Sequence, residues 1–103
     1  MKKYQVMLEG KNILLNHEGN LVKHGFFTTR YVEAENTKKA ELAAIALVKN
    51  DSSFSKAIQN DSSSEPIIYL EELNEIESFK DINTPGTGYS FYRDTKPWWK
   101  FWN

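Results

Sequence analysis

Apolar positions along the chain follow two rhythms, one of period two and one near 3.6 residues. Tyr4-Gln5-Val6-Met7-Leu8 is a short, mostly apolar run that predicts a strand, ended by Glu9-Gly10-Lys11-Asn12. Asn12-Ile13-Leu14-Leu15-Asn16 predicts either a second strand or the same strand continued past a bulge at Gly10. His17-Glu18-Gly19-Asn20 carries turn chemistry, because glycine and asparagine tolerate the positive φ of a tight hairpin. From Gly25 to Ala34 aromatic and β-branched residues dominate, the strongest strand signal in the sequence. Phe27, Thr29 and Tyr31 fall on one face of it, and Phe26, Thr28, Arg30 and Val32 on the other. Such mixing predicts an interior strand whose less apolar side is only partly covered.

The helical rhythm is carried by Ala40, Ala43, Ala44, Leu47 and Val48, a stripe that Asn36 or Thr37 can cap. Lys38 and Lys39 sit against the positive end of that helix dipole, a mild local conflict. Asp51-Ser52-Ser53 interrupts the helix and can cap a shorter one, with Phe54, Ala57 and Ile58 at helical spacing. Asn60-Asp61-Ser62-Ser63-Ser64 reads as a loop closed by Pro66. Ile67-Ile68-Tyr69-Leu70 predicts a buried-type strand leading into an acidic segment with Glu71, Glu72, Glu75 and Glu77. Residues 83–88 form a further loop, and Tyr89-Ser90-Phe91-Tyr92 a final strand. The order ββ(β)-α(α)-β-β predicts an α+β fold: an antiparallel sheet of four to five strands with one or two helices packed on one face. Residues 1–92 make a single domain, and 93–103 a short linker and tryptophan-rich tail.

Composition narrows the function classes. The 103 residues suffice for one core, and a formal charge of -1 disfavours a dedicated nucleic-acid binder. With no cysteine, disulfides, thiolate metal sites and cysteine nucleophiles are excluded together. Met1-Lys2-Lys3 is followed by no apolar run resembling a signal peptide, and no stretch has the apolar length of a membrane span. A soluble, cytoplasmic protein is expected.

Candidate chemistry is sparse. His17 and His24 have no third nitrogen or sulfur ligand with which to build a catalytic zinc site. The acidic segment lacks the interleaved asparagine, aspartate and glycine of a calcium loop and reads as a solvated strand edge or acidic face. Gly86-Thr87-Gly88 runs from loop into strand rather than into a helix, so a tight turn is a better reading than a phosphate cradle. The serines fall in polar loops without a nucleophile-elbow pattern. No catalytic residue, cofactor or metal is expected. Arg30 is the oddity, a charge inside the strongest strand. It either offers a fork to a carboxylate or phosphate, or lies on a solvated face paired with a glutamate across strands; the second is favoured.

The C-terminus holds every tryptophan: Trp98, Trp99 and Trp102, flanked by Lys96 and Lys100. A helical tail would bring all three to roughly one side. Docking on the domain, anchoring in a partner's groove and membrane-surface contact are its three main readings, with stacking on nucleic acid a distant fourth. The balance points to a non-enzymatic binding protein, acting through a sheet face or edge and its tail on a protein partner or a second copy. Arg30, Tyr31, Trp98, Trp99 and Trp102 are the candidate contacts. The alternative is a small enzyme or ligand-binding domain with a pocket between sheet and helix, where Phe27, Thr29, Arg30 and Tyr31 would converge.

The runs Tyr4–Asn12, Gly25–Ala34 and Pro85–Tyr92 resemble a family of short bacterial proteins without an assigned activity. The resemblance implies a bacterial intracellular α+β protein and carries over no functional residue. Val32-Glu33-Ala34-Glu35-Asn36-Thr37 leading into Ala40–Val48 is also similar to the strand, acidic turn and alanine-rich helix of HicB-type antitoxin domains. The chain departs from that domain in its N-terminal strands.

Overall fold

The computed structural model describes residues 1–60 and 65–94. Trp98, Trp99 and Trp102, and residues 61–64 of the expected loop, lie outside the described residues. Those residues form β1 (Lys2–His17), β2 (Asn20–Ala34), α1 (Thr37–Lys49), α2 (Ser52–Ala57), β3 (Ile67–Ile76) and β4 (Ser90–Arg93). The strands make one antiparallel four-stranded sheet in the order β3-β1-β2-β4.

A long hairpin is the spine. Glu18 and Gly19 take φ of 52° and 85°, and a turn with two positive φ values matches the right-handed twist of the strands it joins. The Asn16 side chain accepts from the Gly19 N–H at 3.0 Å and fixes the turn. Between Gly10 and Ile13 the β1–β2 register shifts, with Asn12 at φ 60°. Residues 4–16 are therefore one strand kinked by a bulge, the second of the two sequence alternatives.

Cross-strand partners share a face. On the inner face Tyr4 stands opposite Val32, Val6 opposite Arg30, Leu8 opposite Thr28 and Gly10 opposite Phe26. Gly10 is required there, since a Cβ would lie 2.0 Å from the Phe26 ring. The helix α1 starts where the Asn36 side chain accepts from the Lys39 N–H at 2.9 Å, satisfying an orphan donor. Ala40, Ala44 and Val48 are buried in the same core as Tyr4, Val6 and Leu8, while Ala43 and Leu47 pack at its margin. Small alanines let the helix approach the sheet closely. Asp51 caps α2 by accepting from Ser53 N, and Phe54 of α2 meets Phe26 edge-on at 5.2 Å between centroids.

The strand beginning at Ile67 corrects the sequence reading. It is an edge strand, not a buried one: Ile67, Tyr69 and Leu70 are 48%, 46% and 40% exposed. It also runs on through the acidic residues to Ile76, because the β1 backbone partners it from Lys11 to Lys3. Ile68 and Leu73 reach the core margin from this strand, and Glu71, Glu72 and Glu75 charge its second half, as suits an edge kept from aggregation. At the other edge, β4 covers only His24 to Phe27 of β2. Beyond it the 84–89 segment takes over, with Tyr31 N donating to Pro85 O at 2.9 Å.

Candidate functional site

Arg30 and Tyr31, adjacent in sequence, point to opposite faces of the sheet. Arg30 lies on the inner face and is 2% exposed. The expectation of a solvated arginine paired with a glutamate is thereby corrected, for its β1 partner is Val6. Its Nη1 donates to Thr29 O at 3.0 Å, to Gly88 O at 3.3 Å and to the Thr28 hydroxyl, which itself donates to Gly88 O. Two inner-face side chains thus hold the carbonyl at the mouth of β4. Among the described residues no carboxylate forms an ion pair with Arg30.

The guanidinium carbon sits 4.9 Å from the Tyr89 ring centroid, a cation–π contact made inside the core. Tyr89 also stacks on Phe54 at 5.3 Å and touches Phe26 and Phe91, so one aromatic cluster seals the sheet against α2. Its hydroxyl donates to Asp51 Oδ2 at 2.7 Å. Burial, then the hydrogen bond to Asp51, push the Tyr89 hydroxyl up to about 12. The same bond is the main cause holding Asp51 below the usual carboxylate range, with the Arg30 charge adding a smaller pull in that direction. Arg30, Tyr89 and Asp51 form a relay that ties the sheet to the cap of α2. The groups Arg30 offers through Nη1 are spent on its own chain. A cleft of about 430 Å³ on the helix side is lined by Lys49, Phe54, Ile58, Pro66 and Ile68 among others, and not by Arg30.

Tyr31 belongs to the outer face. Gln5 Nε2 donates to its hydroxyl at 3.3 Å, and the Phe79 ring packs edge-on at 6.3 Å. Lys3 Nζ lies 5.9 Å from the same Phe79 ring, so residues 77–82 shield this end of the face. Toward the other end, Glu9 pairs directly with Tyr69 on β3 and with Phe27 on β2, so all three side chains rise from one row. Tyr92 lies 5.5 Å from Phe27, and its hydroxyl donates to Glu9 Oε2. Burial, and then that bond, raise the Tyr92 hydroxyl to about 12. A shallow groove of about 390 Å³ adjoins Phe27, between Met7, Thr29 and Gly86–Gly88.

Phe27, Thr29 and Tyr31 stay together as the strand period requires, while Arg30 does not join them. His24 Nδ1 lies 2.8 Å from the Val22 carbonyl oxygen, and no group of three or more metal-ligating side chains occurs among the described residues. Gly86, at φ 90°, packs where a Cβ would come 2.7 Å from Thr29 O, so the glycine loop serves close approach to β2. Glu9, Tyr69 and Tyr92 were not singled out from sequence. Their only signal was register, which joins positions 9, 27 and 69 through two long-range pairings. No helix among the described residues is long and apolar enough to cross a membrane.

Compared with family models, with curated proteins and with solved structures, the chain matches none of them.

Proposed function

We propose that this chain is a non-enzymatic binding protein whose docking surface is the outer face of the sheet. Both helices pack on the inner face, so the outer face is left to Phe27, Tyr69, Met7, Tyr31 and Tyr92. The observation that carries the reading is the 40% exposure of Phe27 on the interior strand β2, with Tyr69, in the same row on the edge strand β3, 46% exposed. A large aromatic kept in water on an interior strand costs free energy that a bound partner recovers, and such residues recur as anchors of interfaces. Trp98, Trp99 and Trp102 follow β4 in sequence, and β4 carries Tyr92 of the same surface. In this reading Trp98, Trp99 and Trp102 are further candidate contacts. A protein partner or a second copy is the occupant class it fits, within a bacterial cytoplasm.

The test places a photo-crosslinking residue at Thr29 on the outer face, and in a second protein at Leu42 on the exposed side of α1. Cross-linked products from Thr29 that disappear when Phe27→Glu and Tyr69→Glu are added, with α1 giving none of them, support the outer face. Equal products from both positions refute it.

A further inference from the structure

Resting on that docking surface, we propose that the Tyr69–Glu9–Phe27 row recognises a lysine side chain presented by an extended segment of a partner protein. Glu9 occupies the central strand of the row and pairs in register with both aromatics. Neighbouring strands stand about 4.8 Å apart, so the two rings are rooted roughly 10 Å from one another with a carboxylate between them. Rings within ~6 Å attract a cation, and both aromatics are rooted on the strands either side of Glu9, where an ammonium paired with its carboxylate would meet them. Aromatic walls around an anionic floor are the chemistry that holds ammonium groups.

The site is built before any ligand arrives. The Tyr92 ring crosses the bare backbone of Gly25, where a Cβ would lie 2.2 Å from it, and its hydroxyl holds Glu9 Oε2. That bond uses Oε2, and among the described residues no hydrogen bond engages the other carboxylate oxygen. Among the described residues no lysine or arginine forms an ion pair with Glu9, and no cation lies over Phe27, Tyr69 or Tyr92. Lys3 pairs with Glu33 at 3.8 Å and Lys2 with Glu75 at 4.0 Å at the far end of β1, and Lys11, two positions along the strand from Glu9, forms no ion pair with it among the described residues. The groove beside Phe27 gives an extended backbone room to continue past the lysine.

The experiment titrates the full-length protein with three synthetic glycine-serine peptides that differ at one central residue: lysine, trimethyl-lysine or acetyl-lysine. Ring resonances of Phe27 and Tyr69 and the heat of binding are followed. The lysine and trimethyl-lysine peptides are expected to shift both rings. The acetyl-lysine peptide, which lacks the charge, is expected to bind about tenfold more weakly, as is the lysine peptide to Glu9→Gln or Tyr69→Ala. Urea midpoints of both variants report that the fold is retained. Equal binding of all three peptides, or binding indifferent to Glu9→Gln and Tyr69→Ala, overturns the proposal. So does lysine-peptide binding that appears only after Lys96→Gln and Lys100→Gln, since the chain's own tail is then the occupant. Outer-face cross-linking that persists without lysine-peptide binding overturns the lysine site and leaves the docking surface standing; loss of both overturns both.

Discussion

The Tyr89 hydroxyl donates to the Asp51 carboxylate at 2.7 Å, joining the segment before β4 to the cap of α2 across 38 positions of sequence. Tyr89 is raised from 10.0 to about 12, so its protonated form belongs to the fold. That stability is complete below pH about 10 and is lost as pH climbs toward 12. Asp51 is lowered from 3.8, so its contribution is present above that value and disappears as pH falls through the lower, folded one. Tyr89→Phe is expected to cost about 1 kcal/mol at pH 7 and to flatten both the acid and the alkaline limbs of stability. Urea unfolding between pH 2 and 11, on the order of one unit per step, measures it. An unchanged pH profile would show that the bond contributes nothing.

Arg30 supplies a second test of the inner face. Arg30→Ala empties a fully buried site and strips Gly88 O of a donor, for an expected loss of about 3 kcal/mol. Arg30→Met keeps most of the volume, and no ion pair is broken among the described residues, so about 1–2 kcal/mol should go. Equal, near-zero losses in urea unfolding would place the side chain at the surface after all.

Much of the architecture was legible because it rests on local chemistry. The turn at Glu18-Gly19, the caps Asn36 and Asp51 and the alanine stripe of α1 all announce themselves within a few residues. What could not be read was decided by neighbours distant in sequence. Ile67-Ile68-Tyr69-Leu70 looks like a buried strand, yet the sheet ends there, and apolarity alone does not report a missing neighbour. Arg30 looks like a solvated charge, yet Gly88 and Tyr89 arrive from 58 and 59 positions away to satisfy it: a bond to Gly88 O and a ring 4.9 Å off. The row at Glu9 exists only once two strand registers are known.

The helix face can be checked by contrast within one turn and a half. Leu47 packs at the margin of the core, whereas Leu42 is 54% exposed. Leu47→Ala should cost about 1–2 kcal/mol, below the usual range for a fully buried leucine, and Leu42→Ala less than about 0.5. Ala44→Leu, which pushes a larger side chain against the sheet, should cost about 1–3 kcal/mol through overpacking. Thermal or urea midpoints in the reverse order would show that α1 is rotated on the sheet.

Gly25 connects the fold to the outer face. Its missing side chain lets Tyr92 lie across β2, since a Cβ would come 2.2 Å from the Tyr92 ring and hydroxyl. Gly25→Ala must push that ring away, and with it goes the hydroxyl's bond to Glu9. Tyr92 is raised to about 12 first by burial and next by that bond, so both causes weaken together. An ultraviolet titration should therefore show one fewer tyrosine ionising near 12 and one more near its ordinary value of about 10. Gly19→Ala is the control, because nothing lies within 4 Å of a Cβ there. It carries only the strain of a positive φ, about 1 kcal/mol, and should leave the titration untouched. If Gly25→Ala titrates as the wild type does, Tyr92 does not depend on the bare backbone beneath it, and the preorganised row at Glu9 loses its support.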